Sequence, residues 1–123
     1  MADEKITING VEYIRADLAT ADILADKVDG MMYVMVRTDG AGVFCGYLKK
    51  RSGREVTLLI ARRIWYWEGA ATLSELARDG TKKPEKCMFP CEVAEVTLLD
   101  AVEIIPMTEK AKKSIKGVPV WHA

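Results

Sequence analysis

Residues able to do chemistry concentrate in one stretch, IARRIWYWEGAATLSEL, residues 60–76, where Arg62 and Arg63 stand beside Trp65, Tyr66 and Trp67. A guanidinium keeps its charge at every physiological pH and presents a planar fork that meets two phosphate oxygens at once. An indole offers a flat face on which a base can stack. Together these groups suit a planar, anionic ligand of the nucleotide kind. They equally suit a packed strand end or a subunit interface with arginines stacked on tryptophans. An unbroken strand starting at Val56 would place Val56, Leu58, Ile60, Arg62, Ile64 and Tyr66 on one face, and Thr57, Leu59, Ala61, Arg63, Trp65 and Trp67 on the other. Each face then carries an arginine that needs an acceptor or a ring, because a guanidinium buried alone is costly. A bulge near Ala61 would re-aim one of the two.

The other constellations carry less. GAGVFCG, residues 40–46, resembles a phosphate-binding glycine loop, but its third glycine, Gly46, comes one place late and a strand follows where a helix N-terminus is needed. Cys87 and Cys91 are spaced one residue too far for a two-residue zinc knuckle, and the single histidine, His122, lies in the C-terminal tail. That tail histidine is a poor base for a Cys or Ser nucleophile. The pairs Glu92 with Glu95 and Asp100 with Glu103 read as solvated faces, since a catalytic pair needs a buried, shifted member. The chain is therefore expected to be no enzyme and to use neither metal nor cofactor.

The elements that must position these residues are short. At 123 residues the chain fits one domain. Its 18 basic and 18 acidic residues cancel, so the basic field of a non-specific nucleic-acid or membrane-surface binder is missing. No run approaches a membrane span, the opening MADEKITING does not read as a signal peptide, and three cysteines are an odd number for a disulfide framework. A cytoplasmic protein with free thiols is expected. Asn9-Gly10 within ITINGVEYI predicts a hairpin, and DLATADILADKV, residues 17–28, a short helix or ordered arm before Asp29-Gly30. MMYVMVRT, AGVFCGYLKK and REVTLLI predict an antiparallel meander. TLSELARDG predicts a two-turn helix capped by Thr72 and stopped at Asp79-Gly80. Two strands follow in CMFPCEVAEVTL and AVEIIPM, and Thr108 caps a last helix in TEKAKKSI. The expected fold class is α+β, a small antiparallel sheet of about six or seven short strands with two short helices. Residues 1–30 form an N-terminal hairpin and arm, and residues 31–123 the ligand-binding core.

The run YVMVRTDGAGVFCGYLKKRSGREVTLLIARRIWYWEGAATLSELA, with the later VEIIPMTEKAKKSI and VPVW, resembles a family of small phage and prophage proteins that includes the type 1 Thoeris anti-defence proteins. The resemblance spans residues 31–121, and its most specific part is the pattern ARRxWxW followed by GA and a Leu-rich helix. It implies a sponge: a protein that binds cyclic ADP-ribose isomers made by host immune enzymes, and in some members cyclic oligonucleotides, and sequesters them without cleavage. It implies a homodimer or larger homo-oligomer with pockets between protomers. The matching ligand-binding candidates are Arg37, Phe44, Tyr47, Arg62, Arg63, Trp65, Trp67, Lys112 and Lys116, the last two four residues apart on one helix face with Lys113 beside them. Each has a structural alternative: Arg37 a surface ion pair, Phe44 core packing, the lysines a solvated face. The chain departs from the family pattern in its Ala-rich arm, residues 16–28, and in offering lysines, which lack the bidentate fork. The alternative functions are a phage structural protein without a small ligand and a nucleic-acid-associated module. In the sponge reading either adjacent arginine is expected to be dispensable for folding, and an oligomer buries some of the tryptophans.

Overall fold

In the computed structural model the structure describes residues 23–123, together with the backbone of residues 5–8 and 11–14. β1 (Lys5–Ile8) and β2 (Val11–Ile14) pair antiparallel as a separate two-stranded sheet, with Ile8 opposite Val11. The Asn9-Gly10 turn itself, and residues 17–22 of the expected helical arm, lie outside the described residues. The remainder of that arm is not helical: Leu24 forms a bridge with Thr108, and the Ala25 amide donates to the Met107 carbonyl at 3.0 Å.

The core is an α+β domain with one five-stranded antiparallel sheet, fewer strands than the six or seven expected. β3 (Tyr33–Thr38), β4 (Val43–Ser52), β5 (Glu55–Ile64) and β6 (Glu92–Leu98) form a meander, and β7 (Ala101–Pro106) pairs with β3 on the far side. The two edge strands, β6 and β7, are thus joined by Leu99 and Asp100 alone. Three Cα steps reach at most about 11 Å, so the sheet has to roll until its edges converge at that end. Asp100 fastens this seam by accepting from the Gly40 amide at 2.7 Å, and the Ala101 amide donates to the Arg54 carbonyl at 3.0 Å.

Rolling gives the sheet two buried faces. Val34, Val36, Phe44, Val56, Leu58, Ala61, Leu98 and Ala101 fill the inside of the roll. Tyr33, Met35, Val43, Cys45, Tyr47 and Ile64 face outward and are covered by two helices and the loop around Phe89. Both helices form where their caps predict. Thr72 accepts from the Glu75 amide at 3.1 Å to start α1 (Leu73–Asp79), which stops at Gly80 with φ of +76°. Thr108 accepts from the Ala111 amide at 3.0 Å to start α2 (Glu109–Lys116). Leu76 and Ala77 of α1 and Ala111 and Ile115 of α2 enter the core.

Strict alternation does not survive along β5. Cys45 pairs with Arg62 and Tyr47 with Leu59, so Ile60 and Ala61 together face the single residue Gly46. This is a bulge, and Ile60 pays into it with φ of +51°, a left-handed conformation that a β-branched residue rarely adopts. Beyond it the faces exchange. Val56, Leu58 and Ala61 point into the roll, while Leu59 and Ile64 pack on the helix side. The single-face row Val56 to Tyr66 read from the sequence is therefore broken at Ile60. A Cβ on Gly46 would lie 3.0 Å from the Leu59 carbonyl oxygen and 3.2 Å from the Ala61 Cα, so the bulge fits only around glycine.

Gly46→Ala is expected to lose about 1–3 kcal/mol through this backbone clash. Ile60→Gly, which relieves the left-handed strain at an exposed position, is expected to gain about 0.5–1 kcal/mol after the extra entropy of glycine. Urea unfolding of the two variants checks both signs.

Candidate functional site

The bulge decides which of the two adjacent arginines takes which side of the sheet. Arg62 goes to the helix side and is only 3% exposed. Its Nε donates to the Pro90 carbonyl at 2.9 Å, Nη1 to Ile115 at 2.8 Å, and Nη2 to both Phe89 at 3.0 Å and Val118 at 2.8 Å. The guanidinium also lies over the Phe89 ring, 5.5 Å from its centre. Four backbone carbonyls thus occupy four of its five N–H donors. One of them belongs to the last turn of α2, where carbonyls lack helical partners and the helix dipole favours a cation. Burial pulls the guanidinium below its ordinary pKa, and Glu92 pushes it back up. Arg62 is a tie between β5, the Phe89–Pro90 loop and the end of α2. The expectation that it faces a ligand and is dispensable for folding is corrected accordingly: its fork is already filled by the protein.

Arg63 goes the other way. Its guanidinium stacks 4.4 Å from the centre of the Phe44 ring, its direct partner across the β4–β5 ladder. Nη1 donates to the Ala41 carbonyl, whose loop is held by Thr38 accepting from the Ala41 amide at 2.9 Å and donating to Gly42 at 2.7 Å. With Nη1 fixed and one face stacked, the Nε and Nη2 edge has no protein partner among the described residues. That edge is the two-donor side on which a phosphate can bind bidentately. Arg63 also lines a groove of about 400 Å³, together with Phe44, Pro90, Val93, Glu95 and Val96 among others. Because Ile64 turns into the helix-side core, its neighbour Arg63 falls on the opposite face, the one that carries Phe44. Trp65, just past the end of β5, is 62% exposed.

A second basic and aromatic cluster sits beneath α2. The Lys112 ammonium lies 5.1 Å from the Tyr47 ring centre and 5.4 Å from that of Tyr33, and Lys116 lies 5.6 Å from Tyr33. The two rings meet edge to face at 4.9 Å. Lys116 also pairs with Glu92 at 2.9 Å. The Tyr33 hydroxyl is buried without a hydrogen-bond partner, and burial, with Cys45 and Glu92 adding to it, pushes the phenol well above its ordinary pKa. Burial likewise pushes the Cys45 thiol up, against the pull of Arg62 and Lys116. Tyr47, Arg62, Lys112 and Lys116 are therefore brought to one region, but Tyr47 and Arg62 are there as buried structure.

The remaining candidates stand apart. Arg37 makes an exposed ion pair with Glu103 at 3.0 Å, its structural alternative. Trp67 packs against the helix-side core and donates from Nε1 to the Ala70 carbonyl at 3.2 Å. Tyr33, Ala41 and Val93 are not among the site candidates the sequence offers, and Glu95 enters there only as part of a solvated face. Ala41 acts through its carbonyl, which no side-chain pattern reveals, and the β6 residues become visible only once β6 is known to flank β5.

Among the described residues no group of His, Cys, Asp and Glu is placed to hold a metal, and no helix is long and apolar enough to cross a membrane. The chain belongs to a protein family defined by a domain of unknown function, DUF6948, whose model matches residues 31–115. The match takes in the whole sheet, both helices as far as Ile115, and both arginines. Comparison with curated proteins and with solved structures gives no match.

Arg62→Ala is expected to cost about 3–5 kcal/mol, because it strips a buried charge from carbonyls that nothing else can satisfy. Thermal and urea unfolding measure the loss; an unchanged midpoint would show that the cradle is not structural.

Proposed function

We propose that this member of the family is a binding protein that sequesters a cyclic ADP-ribose-type signalling nucleotide without cleaving it, and so acts as a phage anti-defence sponge in the cytoplasm of the infected bacterial host. The observation that carries the reading is Arg63: an arginine held on one side by a carbonyl and a ring, lining an open groove with its bidentate edge unpaired among the described residues. Holding the guanidinium in advance reduces the ordering cost that a flexible surface arginine would meet on binding. In this reading the pyrophosphate takes the Nε and Nη2 edge, and a base stacks on an exposed ring such as Trp65.

The groups around the groove favour holding over hydrolysis. Glu95, the carboxylate lining it, is open to water and engaged by Lys49 at 3.4 Å. Cys45 is fully buried with its thiol pushed up, which makes it a poor nucleophile. The site residues of the proposal are Arg63, Phe44 and Trp65. Lys112 and Lys116 supply positive potential beneath α2, while Arg62, Tyr47 and Trp67 hold the helix side of the sheet together. The protein acts as a homodimer or larger homo-oligomer.

Titration calorimetry with cyclic ADP-ribose isomers tests the proposal. Arg63→Ala should leave the melting curve in place and weaken binding by about 1.5–3 kcal/mol, the scale of a charge-assisted hydrogen bond. That corresponds to roughly 10- to 150-fold in Kd. Ligand released by heating should be recovered intact. Ring-opened product would make the protein an enzyme and point to Glu95, and undiminished binding by Arg63→Ala would remove the groove from the site.

A further inference from the structure

The sheet has two edges, and the chain treats them differently. β7 ends in Pro106, which has no N–H to offer a neighbour, and the arm continues directly past that end through the Leu24–Thr108 bridge and the bond from Ala25 to Met107. β6 has none of these protections. It contains no proline, pairs with β5 alone among the described residues, and its residues Glu92 to Thr97 are exposed or half-exposed. Val93 on it is 46% exposed. Charges often guard such an edge, but here Glu92 is paired with Lys116 at 2.9 Å and Glu95 with Lys49 at 3.4 Å, within the same chain. The outcome is an open row of backbone donors and acceptors whose charges are already neutralised.

We infer that β6 is the homodimer interface and that it pairs antiparallel with β6 of a second copy across a twofold axis. A twofold that continues the sheet must pass between two copies of the same residue, because side chains alternate faces and opposed residues share one. Centring on Glu95 would use the whole strand but set two carboxylates directly against each other, which is unfavourable. Centring on Val93 would leave little of the strand paired, and centring on Val96 would carry the second copy down to Leu98, where the short link to β7 closes the seam. Centring on Ala94 pairs Glu92 with Val96 and Val93 with Glu95, with no like charges opposed.

The inference needs no ligand, but where the reading above holds it completes the site. The Arg63 groove is lined by Val93, Glu95 and Val96 of β6, so the axis sets two such grooves side by side and places the second copy along the wall of each.

Sedimentation and light scattering should give twice the 13.7 kDa chain mass at micromolar concentration. Ala94→Glu, at an exposed position, should give a folded monomer whose melting midpoint no longer depends on protein concentration. In a Cys91→Ser background, which leaves only the buried Cys45 and Cys87, Ala94→Cys should cross-link on mild oxidation. Directly opposed residues lie about 4.5–5.5 Å apart at Cα, within disulfide reach. A wild-type monomer, a dimer surviving Ala94→Glu, or no cross-link would each overturn the interface. A monomer that still binds cyclic ADP-ribose would overturn the interface alone, and a β6 dimer that binds none would overturn the sponge reading alone.

Discussion

A guanidinium inside a protein has to be satisfied, and the way Arg62 is satisfied organises everything around it. No carboxylate is spent on its fork. It takes carbonyls from three places: the loop at Phe89 and Pro90, the last turn of α2 at Ile115, and the following residue Val118. These carbonyls are groups that a loop and a helix end leave short of partners in any case, so charge and backbone answer each other's need. The arrangement fixes where α2 ends against β5 and how the C-terminal segment runs back, with the Trp121 amide donating to Phe89 at 3.0 Å beside it. Lys112 and Lys116 lie over Tyr33 and Tyr47 because α2 is held there.

Turning Arg62 to the helix side has a backbone cost at Ile60, and the same turn sends Arg63 to the face of Phe44. In a regular strand Val56, Leu58 and Arg62 would share a face, which would put the guanidinium inside the apolar roll. The extra residue at Ile60 and Ala61 turns Arg62 toward the carbonyls and Arg63 toward Phe44. Gly46 makes the turn possible by leaving room for the bulge. One strained residue thus decides which of two chemically identical neighbours becomes the buried tie and which the surface fork.

Much of this was legible in the sequence. Both helix caps, the meander, and the free thiols followed from local chemistry at Thr72, Thr108, the Gly-containing turns and the odd cysteine count. The pairing of Phe44 with Arg63 was within reach too, since counting back from the Ser52–Glu55 turn opposes them: an irregularity near Lys49 on β4 offsets the bulge on β5. Other features depend on contacts far apart in the chain. The fate of Arg62 rests on carbonyls from residues 89 to 118, which carry no side-chain signature. The sheet's closure onto β7 rests on a two-residue link that reads like an ordinary hairpin turn and yet joins strands at opposite edges. The extended arm at residues 23–25 looked helical from its alanines and is drawn straight by bonds to Met107 and Thr108.

The central claim is a division of labour between neighbours, Arg62 for the fold and Arg63 for the ligand, and lysine replacements test it most directly. Lysine keeps the charge but lacks the fork, so it leaves each local field in place and removes only the geometry. Melting and cyclic ADP-ribose titration of Arg62→Lys and Arg63→Lys, made on the same samples, separate the roles. The account predicts that Arg62→Lys melts well below wild type while its folded fraction binds normally, and that Arg63→Lys melts as wild type and binds more weakly. Equal loss of stability in both variants, or full affinity in Arg63→Lys, would contradict it.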